Sequence, residues 1–226
     1  MRIGILQTGH APDEVLGALG DYTDMFQRLL AGRDFDFDTY NVVDGTFPDG
    51  PGAADGWLIT GSKHGAYEDH AWIPPLEALI RDIRDQGTPL VGVCFGHQII
   101  AQALGGKVEK FDKGWAVGRQ EYDFGDEVLA LNAWHQDQVT ELPEGAQVIA
   151  SNAFCENAAL VINDSILTIQ PHPEFGAQMI DGLITYRGRG NVPDDLISAA
   201  QGALDTPTAN DAFADRMAAF FKKGAK

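Results

Sequence analysis

Cys94 follows the apolar run Pro89-Leu90-Val91-Gly92-Val93 and precedes Phe95-Gly96-His97-Gln98. The run reads as a buried strand, and Gly96–Leu104 reads as a helix closed by Gly105-Gly106. The cysteine therefore stands at a strand-to-helix junction, with a glycine two positions away on either side. This has the form of a nucleophile elbow, in which a strained turn lifts the side chain above the sheet and small neighbours let the backbone pass close. A helix N-terminus carries partial positive charge, which favours thiolate over thiol. The N–H of Phe95, next after the nucleophile, is placed to donate to an oxyanion. Taken alone, the pattern fits a small buried cysteine about equally well.

A second segment adds a base. Ile166-Leu167-Thr168-Ile169 reads as an apolar strand and runs on through Gln170-Pro171 into His172-Pro173-Glu174. In extended backbone, residues two apart project to one side, and the proline biases His172 towards that geometry. His172 and Glu174 are thus expected to face one cavity together. A thiol nucleophile needs a base, and the base needs an orienting group. Cys94, His172 and Glu174 supply that set; a solvated histidine beside a helix-opening glutamate is the bland alternative for the last two. Cys155 has no elbow or base around it and reads as structural. His10, His64 and His70 show no metal-ligand spacing, and no phosphate-cradling loop occurs, so neither metal nor cofactor is expected.

These groups must be positioned by a sheet. Ile3–Leu6, Phe35–Val43, Gly56–Thr60 and Pro89–Val93 read as strands, and Val15–Leu30 and Trp72–Arg84 as helices, the latter with Pro74 and Pro75 in its first turn. Alternation of this kind implies an α/β fold with a mainly parallel sheet flanked by helices. From Lys107 to Ile169 short strands and turns suggest a small antiparallel excursion, and helices return after Pro173, the last over Ala212–Phe221. No internal repeat or domain boundary is evident, and one domain over 1–226 is expected.

With 226 residues, 44% of them hydrophobic and 22% charged, the chain can build a sizeable core. Its net charge of −17 disfavours nucleic acid and anionic membranes as partners. Two cysteines build no disulfide framework, and neither a signal peptide nor a membrane-spanning run is seen; a reducing, cytoplasmic location is expected.

Gly92-Val93-Cys94-Phe95-Gly96-His97-Gln98 and His172-Pro173-Glu174 together resemble the nucleophile and base motifs of class I glutamine amidotransferases. The resemblance spans roughly residues 1–190, leaves a helical tail after them, and implies a flavodoxin-like fold. It implies further that Leu58-Ile59-Thr60-Gly61-Ser62 is the oxyanion loop, with the second donor either the N–H of Gly61 or that of Ser62, which stands where the family usually has glycine. It places Gln98 at the amino-acid end of the substrate. It matches Trp134-His135-Gln136-Asp137-Gln138-Val139 to a substrate-contacting stretch, with Gln136 in place of a glycine and a narrower or differently shaped pocket as the expectation. For His135 a bland surface position is an equal alternative, and His97 is read as packing or hydrogen-bonding.

The implied activity is hydrolysis of the γ-amide of glutamine, or of a γ-glutamyl compound, through a γ-glutamyl thioester. Ammonia would pass to a separate synthase chain, or the enzyme would stand alone as a hydrolase; the Ile-Thr-Gly-Ser loop and Trp134–Val139 look more like γ-glutamyl peptidases and GMP-synthetase-like stand-alone members than like subunits of known synthases. A non-catalytic scaffold of the same fold is the competing class. A thiol esterase of the α/β-hydrolase type would place its acid between nucleophile and histidine, unlike the order here.

Overall fold

The apolar runs become strands of one twisted sheet. In the computed structural model, which describes residues 1–224, the strands are β1 (Arg2–Gln7), β2 (Asp36–Asn41), β3 (Gly56–Ile59), β4 (Leu90–Val93), β5 (Lys107–Lys110), β6 (Ala116–Asp123), β7 (Val128–His135), β8 (Asp137–Glu141), β9 (Ala146–Ala150), β10 (Ala159–Ile162) and β11 (Ile166–Ile169). The helices are α1 (Asp13–Leu19), α2 (Tyr22–Leu29), α3 (Ile73–Gln86), α4 (Phe95–Ala103), α5 (Ala177–Leu183), α6 (Asp194–Gly202) and α7 (Asn210–Gly224), with a π-helical turn over Ile184–Gly188.

The main sheet has the order β2-β1-β3-β4-β11-β10-β9. Its first five strands are parallel, and β10 and β9 are added antiparallel. Pairs β5–β8 and β6–β7 form two separate antiparallel ribbons. The parallel block is the flavodoxin-like order, with its switch between β1 and β3, where such folds leave a crevice at the strand C-termini. Strands β3, β4 and β11 are buried throughout, as strands covered on both faces must be.

On one face Trp57, Leu76, Ile80, Phe95 and Ile99 join α3 and α4 to the sheet. The five apolar positions of α3 that repeat at helical spacing are the five it buries. On the other face Phe26 of α2 and Phe213, Met217 and Phe221 of α7 pack on Ile3, Ile5 and Leu58. The C-terminal helix is thus no appended tail: its stripe at i, i+4 and i+8, Phe213, Met217 and Phe221, is fully buried in the core. A third cluster joins α1, α5 and α6 around Phe175 and Val117.

One helical expectation is corrected. The stretch Val15–Leu30 is two helices, broken at Gly20 with φ 71°. Asp21 then caps α2 in a reciprocal capping box with Asp24. Val15 of α1 and Tyr22 and Met25 of α2 pack into one cluster, while Phe26 of α2 packs into the other. Among the described residues no helix is long and apolar enough to cross a membrane.

Candidate active site

Cys94 adopts φ 53°, ψ −104°, a combination that side chains disfavour. The surrounding backbone enforces it. The Cys94 N–H donates to Ile169 O at 2.8 Å, holding the residue against β11, and the Gln98 N–H donates to Cys94 O at 3.0 Å, starting α4. The two glycines are there for steric reasons. A Cβ on Gly96 would lie 2.4 Å from Ile59 O, and one on Gly92 would lie 2.6 Å from Gly96 O. Helix α4 can start this close above β3 and β4 only without those methyl groups.

His172 and Glu174 lie beyond the end of β11, in a turn rather than in continuing strand. The Phe175 N–H reaches back to His172 O at 3.3 Å, and this turn brings Glu174 Oε1 to 2.7 Å from His172 Nδ1. The expected pairing is therefore made through a bend and not through alternation along an extended segment. The imidazole is fixed on a second side by stacking on Phe175, with centroids 3.9 Å apart and planes 4° from parallel. Its backbone is held by β7, since the His172 N–H donates to Asn132 O and Asn132 Nδ2 donates to Phe175 O. Neither Asn132 nor Phe175 carries a signal in the sequence, because both act through contacts between distant segments.

Burial disfavours a charge on His172, but Glu174 and then Cys94 outweigh it and raise its pKa to about 10. Cys94 and His172 converge on Gly61. A methyl group there would stand 2.9 Å from His172 Cε1 and 3.8 Å from Cys94 Cβ. Gly61 is thus the loop residue that abuts both side chains, while Ser62 turns its hydroxyl away to donate to Thr8 O at 2.7 Å.

Cys94 and His172 line a cavity of about 730 Å³, together with Tyr22, Ser62, Gln98 and Gln136. Its border carries both signs of charge, Lys63, Lys110 and Arg187 beside Asp13, Glu68 and Asp137. The π-helical turn supplies Arg187; such turns recur at functional sites.

The other expected positions fall as follows. Gln98 borders the cavity while its amide donates to Asp137 O at 2.9 Å and to Gln170 Oε1 at 3.1 Å, bracing β8. His135 is not on the surface. It is 4% exposed, and burial and the neighbouring His172 charge push its pKa down to about 3, so it is neutral. Gln136 donates to Phe111 O at 3.4 Å across the rim. His97 is fully buried against Thr168, 2.7 Å away, with its pKa pushed down to about 3 by burial. Cys155 is buried, and burial pushes its thiol up to about 12.

His10 lies apart from the other surface histidines, paired with Asp21 and Asp44. His64 and His70 come together, with ring centroids 4.2 Å apart. Spacing counted over histidines alone misses Glu68, which lies between these two in the chain and in space.

Comparisons with known proteins give the family and the fold. The family described as Glutamine amidotransferase class-I matches residues 52–186. Gamma-glutamyl peptidase 4 of Arabidopsis thaliana is 32% identical over 90% of this chain and 88% of its own length. A glutamine-hydrolyzing GMP synthase subunit of Halobacterium salinarum is 32% identical over 69% of this chain and 84% of its own. In fold, the crystal structure of a glutamine amido transferase from Methylobacillus flagellatus superposes with a TM-score of 0.78 at 23% identity, over 100% of this chain and 95% of that one.

Proposed function

The chain belongs to the class I glutamine amidotransferase family, and from that premise we propose that it cleaves the γ-amide bond of γ-glutamyl compounds with Cys94 as nucleophile. The observation that carries the proposal is the convergence of Cys94 and His172, the latter paired at 2.7 Å with Glu174, on one open cavity.

The Cys94 sulfur attacks the γ-carbonyl carbon, and the N–H groups of Phe95 and of the Gly61–Ser62 turn receive the oxyanion. The C–N bond breaks as His172 gives its proton to the leaving nitrogen. Water then attacks the γ-glutamyl thioester, His172 takes a proton from it, and glutamate leaves with the thiol restored. Glu174 holds the imidazole in orientation and stabilises its charged form. Gln98, His135 and Gln136 shape the wall that receives the amino-acid end of the substrate, His135 as a neutral buried group.

A leaving group larger than ammonia is favoured by the size of the cavity. About 300–1,000 Å³ is the range that encloses a drug-sized ligand, and 730 Å³ exceeds the needs of glutamine alone. Lys63, Lys110 and Arg187 suit the carboxylate of a released peptide. The second reading is ammonia delivery to a separate synthase chain, supported by the likeness to the GMP synthase component.

The two are separated by incubating the protein with glutamine and, separately, with small γ-glutamyl peptides, and assaying glutamate and the released amine. Peptide turnover well above glutamine turnover is the expected result. Preference for glutamine would select ammonia transfer. Turnover of neither substrate, with Cys94 also inert to a thiol-directed electrophile, would leave a scaffold.

The raised pKa of His172 sets the pH dependence. The imidazolium is the proton donor to the leaving group, and it is lost only as pH rises through about 10. The alkaline limb of kcat/KM should therefore fall near pH 10 rather than near the unperturbed histidine value of about 6.5. A limb at pH 6–7 would show that Glu174 and Cys94 do not hold the proton on His172.

A further inference from the structure

At the rim of the cavity, the loop between β3 and α3 carries the sequence His64-Gly-Ala-Tyr-Glu68-Asp-His70. Its three potential ligand atoms all lie within 4.8 Å of one another. His64 Nδ1 is 3.3 Å from Glu68 Oε2, and His70 Nε2 is 2.7 Å from the same oxygen. Donors on a tetrahedral zinc ion at about 2.0–2.1 Å stand about 3.4 Å from each other, so small side-chain rotations would bring these three onto one ion. We propose that His64, Glu68 and His70 form a binding site for a borderline divalent transition ion, zinc foremost, at the entrance to the Cys94 cavity.

The site is built before any ion arrives. The His64 N–H donates to Ser62 Oγ, the Glu68 N–H to Gly65 O, the His70 N–H to Glu68 O, and the Ile73 N–H to His70 O, so the loop is stitched to itself and to the start of α3. The His70 ring stacks on Trp72, with planes 11° apart, and Trp72 in turn packs on Phe95. The loop is also anchored from α4, where Gln102 donates to Ala66 O at 2.7 Å.

The chemistry of the donor set is two imidazoles and one carboxylate. That set suits zinc and its neighbours rather than magnesium or calcium, which take oxygen ligands. Three protein ligands leave a fourth position open. His64 and Glu68 also line the cavity, so an ion held by them would border it. The site is independent of which γ-glutamyl compound is cleaved.

The test uses the full chain, stripped with a chelator and titrated with zinc chloride or cobalt(II) chloride. Cys94→Ala protein serves as the background, so that the nucleophile cannot itself capture the metal. One equivalent should bind, and cobalt should give visible d–d bands without the thiolate-to-metal band that Cys155 would produce. In the same background, His64→Ala with His70→Ala should weaken zinc binding by well over tenfold, and Glu68→Gln by about tenfold or more. Equal binding by the double variant, a thiolate band, or no zinc binding to the Cys94→Ala chain would each overturn the site.

Discussion

Replacing Cys94 by alanine should lower turnover of a γ-glutamyl substrate by about four orders of magnitude or more while leaving the chain folded. The thiol makes the only covalent bond between protein and substrate in the proposed reaction, so an inert side chain leaves just the oxyanion donors and binding. Residual activity within about tenfold of the parent would remove Cys94 from the mechanism. A companion variant separates the chemistry from the backbone. Cys94 sits at φ 53°, ψ −104°, where a residue with a Cβ costs about 1–3 kcal/mol and glycine does not. Glycine gives back part of that advantage through its greater freedom when unfolded, about 0.4–1 kcal/mol. Cys94→Gly should thus be as inactive as Cys94→Ala but more stable than it by about 1 kcal/mol. Denaturant unfolding of the two inactive proteins measures this; an alanine variant as stable as the glycine one would mean that the junction stores no strain.

Gly96→Ala is the larger structural perturbation. The added methyl would lie 2.4 Å from Ile59 O and 3.0 Å from Ile59 C, both backbone atoms of the fully buried β3. Neither can rotate aside, so α4 must move away from the sheet and carry Cys94 with it. A loss of about 3 kcal/mol in unfolding free energy is expected, together with loss of turnover, because a shift of about 1 Å in a reacting group can cost about a hundredfold in rate. Gly17→Ala gives the reference. It lies in α1, a Cβ there meets nothing within 4 Å, and it should stabilise by up to about 1 kcal/mol. If Gly96→Ala unfolds at the same denaturant concentration as the parent, the close approach of α4 to β3 is wrong.

Much of this was legible along the chain because the physics involved is local. The elbow is a steric statement about Gly92, Cys94 and Gly96, and sterics between near neighbours appear as residue types. The central parallel strands β3, β4 and β11 show as short apolar runs because they are buried on both faces. What was illegible is what the fold brings together. Asn132 holds His172 from a ribbon elsewhere in the chain, and Phe175 lies against the imidazole only because residues 172–175 turn. His135 looks like an ordinary polar position in its own segment, yet it is buried in the folded chain. The pairing of His64 with His70 around Glu68 depends on a loop conformation that no periodicity describes. Gly20 was visible, but its left-handed φ, and hence the break between α1 and α2, follows from how Asp21 caps the next helix.

His172 hangs between two bodies. Its side chain belongs to the turn after β11, while its main chain is fastened by Asn132 to the β6–β7 ribbon, which is not part of the seven-stranded sheet. A ribbon can open locally at less free energy than the whole molecule needs to unfold. Local opening of that ribbon is therefore expected to cost the base its alignment before the parallel strands beneath the sulfur come apart.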